Sequence, residues 1–526
     1  MKPKAAIIVD NFLLAKWQED ALEEVKKKID IELILNCKNT KTNKKIFKNF
    51  FYYILNIFSL KNLLSKKNKI NCSNDKVINF NSIYNGVWQC LPDNIIDHLN
   101  NKNINIVIKF GMNLLKIRDN LSKLSILSFH HGDPAKYRGR PAGFYEILNK
   151  EKTIIIIVQR LTNKLDAGTI LAFGESKIIN FSYKKTAINF YSNSKFLLSK
   201  AIDNLIEKKE LNIKKDGKIY TLPGNLTVLK FILSTFINLN KKIFYGLFFE
   251  KKWKVAISKN KLTFNGDEII SLRNLNEVPI DKKYIFYADP FFSYNNKSLR
   301  LEALNRFNGL GELLEISVDN LKEQKLILSK GHNSYPFSFM YKKKEYLLPE
   351  VASNSPQYIL PIDLNYKEKI FIKGLENKRI VDATLFEYQK HWYLFFGYQN
   401  NASTVLNLWV SDSPLAKFKP HPKTPIVVSP KNARMAGGIL RIKNSLIRFG
   451  QNNDGEYGES LSTLMINKLT PKDYSEKYIG CVKIDNYNGP HTLNFSADTN
   501  LITFDYYTNK FSFFAGVRRI ARLLNK

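Results

Sequence analysis

The feature that most constrains the fold is a change of character near Trp253. Before it, apolar runs alternate with helical patterns. Strand-like runs at 5–9, Ile31–Leu35, Asn105–Phe110, Leu124–Phe129 and Thr153–Val158 are interleaved with helical stretches at Leu14–Lys28, 46–64, Pro141–Asn149 and Lys184–Lys208. Such alternation predicts an α/β domain with a parallel sheet covered on both faces. After Trp253 only short β-like runs recur, among them Trp253–Ser258, Tyr284–Tyr287, Tyr335–Phe339, Ala383–Phe386, Trp392–Phe396, Leu406–Val410 and Leu446–Phe449. Turn residues separate them and no long helical pattern intervenes. That predicts an all-β sandwich, barrel or propeller. Aromatic-rich strands next to polar turns favour the propeller, although the spacing is too irregular to count blades. At 526 residues the chain exceeds one ordinary core. The expected divisions are a first domain over 1–210, a linker with an apolar helix over 211–250, an all-β domain over 251–505, and a basic amphipathic helix over 506–526.

A formal charge of +34 comes mostly from lysine. It draws polyanions without selecting one. The lysines are spread along the chain rather than blocked, so charge does not argue for nucleic acid. Cys37, Cys72, Cys90 and Cys481 lack metal-ligand spacing and read as reduced thiols of a cytoplasmic protein, with no metal expected. The run Ala5–Val9 is too short for a signal sequence. Phe50–Leu60, bounded by Lys48 and Lys61, falls short of the roughly 20 residues of a spanning helix. Leu226–Phe249 reads as a connector docked on both domains, and the terminal helix, with Arg518, Arg519 and Arg522 beside its apolar positions, as docked on the propeller; the alternative for each is lying on a membrane surface.

Chemistry concentrates in S-F-H-H-G-D-P-A-K-Y-R-G-R-P-A-G-F-Y, Ser128–Tyr145, directly after an apolar strand. Open α/β sheets place ligand sites there. A helix starting near Pro141 would put Arg138, Gly139 and Arg140 at its N-terminus, an anion site. A second stretch, Arg160–Leu171, carries the turn Asp166-Ala167-Gly168. Acyl transfer to an amine needs an imidazole beside the nitrogen, a donor for the oxyanion and a carboxylate to orient the ring or take the proton. His130 or His131, Ser128 and Asp166 supply these groups.

These stretches resemble the formyltransferase family that uses 10-formyltetrahydrofolate. Tyr137-Arg138-Gly139 with Pro141, and Asp166-Ala167-Gly168-Thr169-Ile170-Leu171, match its two motifs. The resemblance covers roughly residues 1–220. It implies a Rossmann-like formyltransferase fold, with His130, Asp166 and Ser128 catalytic and Phe110, Gly111 and Gly168 against the folate co-substrate. His131, Asp133, Arg138 and Arg140 would face the acceptor. One departure stands out: the family has asparagine where this chain has Ser128. Members acting on methionyl-tRNA carry a small basic barrel after the catalytic domain, and here a much larger β domain follows. An amino sugar, nucleotide-linked, is therefore the expected acceptor, with methionyl-tRNA the alternative.

In the β domain, A-D-P-F (Ala288–Phe291), P-E (Pro349-Glu350) and V-D-A-T-L-F (Val381–Phe386) set acidic residues among aromatics and prolines, and N-A-R-M-A-G (Asn432–Gly437) and G-P-H-T-L-N-F (Gly489–Phe495) follow as further signatures. Carboxylates so placed suit carbohydrate chemistry. The set resembles the β-propeller domain at the N-terminus of plant glucosamine inositolphosphorylceramide transferases, and more distantly five-bladed propeller glycoside hydrolases. That implies five blades, with Asp289, Glu350 and Asp382 in the central funnel, binding a glycan or cleaving it. Asn432, Arg434, Arg448, Gln451, Asp454 and His491 would line the funnel or hold the blades. The expectation is formyl transfer to an amino sugar in surface-glycan biosynthesis. The rival is a propeller hydrolase or glycan-binding protein with a degenerate first domain.

Overall fold

The computed structural model describes residues 2–40, 45–59, 61–70, 76–121, 123–273, 275–363 and 366–524. Leu60, Cys72 and the last two residues of the expected terminal helix lie outside them, and nothing is described of the Arg522 side chain. The chain forms two compact units, Met1–Asn240 and Lys241–Lys526. The division falls inside one helix, Asn225–Phe248.

The first unit is α/β. Its sheet runs Val77–Phe80, Asp30–Cys37, Lys4–Asp10, Ile106–Lys109, Ser125–His131, all parallel, then Thr153–Arg160 and Thr169–Lys177. The last two are antiparallel, which departs from the all-parallel expectation. Thr153–Arg160 runs against both its neighbours, and the short turn at Asp166 makes its pairing with Thr169–Lys177 a hairpin, with no room for a crossover helix. Strands buried on both faces read as unbroken apolar runs, and A-A-I-I-V at 5–9 is one. The helix Tyr183–Ile206 packs along the sheet, capped by Ser182, whose hydroxyl accepts the Lys185 N–H.

The helix expected from Pro141 starts only at Phe144, after Gly143 at φ +78°. Tyr137–Gly139 instead forms a short strand, pairing in parallel with Lys218–Tyr220. Arg138, Gly139 and Arg140 therefore do not sit at a helix N-terminus, and the expected anion site there is corrected.

The second unit has five four- or five-stranded sheets in a propeller arrangement. Three blades are sequential: Tyr284–Phe292 to Gln324–Leu328, Ser334–Tyr341 to Ile370–Phe371, and Ile380–Tyr388 to Lys419–Pro420. The other two close the ring by borrowing. Phe249–Lys259 pairs antiparallel with Leu501–Phe511 along its whole length, and Glu268–Ile270 adds in parallel to Tyr474–Ile484. Strands from both ends of the unit thus tie its first and last blades together. The final helix is Ala515–Leu524; residues up to Phe511 belong to the closing strand.

Arg448 is fully buried between strands of one blade. Its Nε and Nη2 donate to the two oxygens of Glu476 at 2.7 and 2.6 Å, and Nη1 donates to the Asn432 carbonyl at 2.9 Å. It holds the blade together rather than lining the funnel. Removing one partner of a buried, hydrogen-bonded ion pair leaves the other charge stranded. Arg448→Met should cost about 3–5 kcal/mol in the unfolding transition of the propeller, read by urea titration; a loss under about 1 kcal/mol would show that water reaches the pair.

Candidate functional sites

In the first unit the strand Ser125–His131 alternates its side chains between the two faces of the sheet. Ser128 and His130 share one face; Phe129 and His131 share the other. On the second face His131 is packed by the rings of Trp17, Phe129, Phe190 and Tyr191, with Nε2 2.8 Å from Ser194 Oγ. Burial pushes its imidazole down to about 3, so it stays neutral. The assignment of His131 to substrate is corrected: it is a packing residue.

On the first face, His130 Nδ1 lies 3.5 Å from Asp166 Oδ1, and Nε2 lies 3.0 Å from the Tyr137 carbonyl. A ring carrying both N–H groups satisfies both oxygens. The loop Lys164–Gly168 is joined to the Tyr137–Gly139 strand at two points. Gly139 N–H donates to Asp166 Oδ2 at 2.7 Å, and the Arg138 guanidinium donates twice to the Leu165 carbonyl. Arg138 thus joins two loops instead of facing an acceptor. Gly139 has φ +89°, and a Cβ there would stand 2.2 Å from the Tyr220 carbonyl oxygen, so glycine is required. Asp133 serves its own turn, accepting the Ala135 N–H.

Ser128 is flanked by Lys109 on one neighbouring strand and Gln159 on the other. Laterally paired residues share a face. Gln159 Oε1 accepts the Gly168 N–H at 2.8 Å. Lys109 was not singled out from the sequence. Burial pulls its ammonium down to about 8, against the opposing attraction of the Asp10 and Asp166 carboxylates. In a chain so rich in lysine, nothing local marks this one except its place at the end of an apolar strand, before Phe110-Gly111.

The residues assigned to the folate are used otherwise. The Phe110 ring packs on Trp17 and Phe129. A Cβ at Gly111 would meet the Val9 carbonyl carbon at 2.6 Å, and one at Gly168 the Arg160 carbonyl at 2.3 Å. Both glycines admit neighbouring backbone closely. A separate cavity of about 310 Å³ is lined by Tyr52, Tyr53, Asn56, Arg140, Tyr183 and Tyr191, among others. Aromatic walls with one guanidinium suit stacking on a sugar or base and pairing with phosphate.

In the propeller, Asp289, Tyr335 and Asp382 occupy equivalent places in the innermost strands of three successive blades. Each has positive φ, at +51°, +45° and +49°, and each lies within a break in strand register. The two aspartates stand inside their strands, at bulges. A bulge re-aims one side chain out of the alternation. Tyr335 Oη lies 2.9 Å from Thr384 Oγ1 and accepts the Gly437 N–H at 2.9 Å.

Two linked charge clusters result. Asp382 is held bidentately by Arg434, receives Gln451 Nε2 at 3.3 Å, and donates its backbone N–H to Glu350 at 3.2 Å. Arg434 also lies 3.9 Å from Glu350. In the second cluster His491 stands between Asp505, 2.5 Å from Nδ1, and Asp289, 3.4 Å from Nε2. Asp505 also accepts the N–H groups of Asp289, His491 and Thr492. Among the described residues, Asp289, His491 and Asp505 have the donor types for a metal. Here each imidazole nitrogen already faces a carboxylate, and a proton completes the set.

Burial raises Asp289 to about 6, with Asp505 and Asp382 adding to the rise and His491 opposing it. Glu302, missed in the sequence, is buried and raised to about 8 by desolvation and the charge of Asp289. Burial also lifts Glu350 well above the carboxylate range, with Asp382 adding. The propeller thus holds carboxyl groups whose protons are retained to higher pH beside the ion-paired Asp382 and Asp505, a division suited to sugar hydroxyls or to acid–base chemistry.

Residues 285–494 match the family model described as glucosamine inositolphosphorylceramide transferase 1, N-terminal. Glucosamine inositolphosphorylceramide transferase 1 of Oryza sativa subsp. japonica is 33% identical over 153 residues, 28% of this chain and 20% of that protein. Its namesake in Arabidopsis thaliana is 31% identical over 157 residues, again 28% and 20%. The chain thus spans about a fifth of the length of the curated relatives it matches. Among solved structures, a sugar N-formyltransferase from Shewanella sp. FDAARGOS_354 aligns at 11% identity over 44% of this chain and 87% of that one, with a TM-score of 0.29. The catalytic domain of the Coprinopsis cinerea GH62 alpha-L-arabinofuranosidase aligns at 11% over 47% and 98%, with a TM-score of 0.35. Likeness at this level fixes neither fold nor chemistry.

His491 provides a test of the second cluster. Burial pulls its imidazole down, but Asp505 and Asp289 lift it further, to about 9. A raised folded-state value means that this contribution to stability is complete below the ordinary value of about 6.5 and is lost as pH rises through 9. The stability of wild type minus that of His491→Gln should therefore shrink between pH 6.5 and 9. A difference that stays constant over that window would mean that the ring is held neutral.

Proposed function

We propose that the first unit transfers a formyl group from 10-formyltetrahydrofolate to the amine of an amino sugar, and that the propeller binds the glycan to which that sugar belongs. One observation carries the reading. His130, in the strand Ser125–His131, and Asp166, on the loop after the neighbouring strand, meet at 3.5 Å, with Ser128 and Lys109 on the adjoining positions of the same face. The motif resemblance supports the identity of the donor, and the relatives of the propeller support a glycan setting. The bound donor supplies an electrophilic formyl carbon.

The roles follow from chemistry. Asp166 accepts the proton that the amine sheds as it attacks and would return it to the folate nitrogen that leaves when the donor's C–N bond breaks, while the Gly139 N–H and His130 fix its orientation. Ser128 has a shorter reach than the asparagine of the resembling family. Lys109, paired with Ser128 across the strands, has its ammonium on the Asn113 carbonyl at 3.2 Å; turned into the site it would supply the positive donor for the developing oxyanion. Arg140, in the aromatic-lined cavity, takes the acceptor's phosphate.

Incubation with 10-formyltetrahydrofolate and a panel of nucleotide-linked amino sugars, read by mass, should show a formyl gain on at least one. His130→Gln and Asp166→Asn should each lower the rate on the order of 10²- to 10⁴-fold. Because the ammonium is present below about 8, the rate should fall as pH rises through that value, and Lys109→Arg should carry the rate to higher pH. No formyl gain on any sugar, with formylation of methionyl-tRNA instead, would replace the acceptor.

A second reading rests on the raised carboxyl groups of the funnel: the propeller itself cleaves a glycosidic bond, with Glu302 or Asp289 as acid. It requires glycan turnover that Glu302→Gln abolishes and His130→Gln leaves intact.

A further inference from the structure

The first unit exposes two apolar helix faces that its own core does not cover. In the helix Phe50–Ser59 the buried side chain is Tyr52, while Phe50, Ile54, Ile57 and Phe58 are exposed at helical spacing. Ile46 and Phe47 precede them, the latter 93% exposed. In the helix Asn225–Phe248, the portion up to Asn240 is anchored by a narrow stripe, Val228 and Phe231, the latter stacked on Phe144 at 4.4 Å. Its other side exposes Leu226, Leu229, Leu233, Phe236 and Ile237. The two helices begin at one junction. Asn49 donates to the carbonyls of Leu222 and Pro223, and Asn225 accepts the Phe51 N–H and donates to the Phe47 carbonyl.

Charge around these faces has one sign. No Asp or Glu occurs between Glu32 and Asp75, or between Asp216 and Glu250. Lys45, Lys48, Lys61 and Lys230 are exposed within these stretches. Soluble monomers rarely leave apolar surface of this extent open. Apolar helix faces on stretches whose charged residues are all lysine complement a surface that is apolar beneath and anionic above. No helix among the described residues is long and apolar enough to cross a membrane, so the faces suit lying on one.

We propose that this surface seats the first unit on an anionic lipid bilayer, with the exposed rings and leucines at the acyl boundary and the lysines among the headgroups. The inference does not depend on the formyl-transfer reading. It is tested by sedimentation of the full chain with vesicles of phosphatidylcholine, with and without about one-third phosphatidylserine. Binding should be strong to the mixed vesicles, weak to the neutral ones, and reduced by salt. The double variants Leu233→Ser with Phe236→Ser, and Lys48→Glu with Lys230→Glu, should each lower partition on the order of tenfold, with circular dichroism and melting temperature unchanged. Equal partition of the variants and wild type would overturn the proposal. So would failure of wild type to bind either vesicle, including the case in which it forms a dimer that the Leu233→Ser, Phe236→Ser variant separates.

Discussion

The carboxylate of Asp166 is the contact on which the first unit's site depends. One oxygen accepts the Gly139 N–H and the other faces His130. The donor is a backbone group in a short strand that exists because Tyr137–Gly139 pairs with Lys218–Tyr220. Asp166 itself has φ +47°, a conformation its loop must enforce. Arg138 provides that enforcement through the Leu165 carbonyl. The proposed acid–base pair is therefore positioned mainly by backbone contacts, which fix orientation more firmly than paired flexible side chains would.

The propeller solves a related problem differently. Three inner strands break register at matching points and aim Asp289, Tyr335 and Asp382 out of the β alternation. Carboxylates brought together in this way would repel one another. Arg434 and the proton on His491 offset part of that repulsion, and Asp289, Glu302 and Glu350 relieve the rest by keeping protons at higher pH. The balance of charge in the funnel thus follows from its backbone geometry.

Much of this was legible in the sequence, and the failures have common causes. His130 and Asp166 were found because their chemistry requires particular residue types next to turn residues. The alternation of α and β before Trp253 and its absence after it gave the two architectures. Arg138 was misread because its partner is a carbonyl, and a carbonyl carries no residue identity to look for. His131 was misread because its enclosing rings come from Trp17, Phe190 and Tyr191, far away in the chain. The equivalence of A-D-P-F, S-Y-P-F and V-D-A-T was visible at near-equal spacing, but one tyrosine among two aspartates hid a shared backbone bulge. Lys109 and Glu302 gave no local signal; their significance lies in burial, which only the fold reveals.

The account stands on the claim that the junction between the Gly139 strand and the Asp166 loop creates the transfer site. Gly139→Ala addresses it directly, because the new methyl would stand 2.2 Å from the Tyr220 carbonyl oxygen and force the strand away from Asp166. Single-turnover formyl transfer should fall on the order of a hundredfold, while the propeller unfolds at the same urea concentration as in wild type. Transfer at the wild-type rate in a folded Gly139→Ala protein would contradict the claim.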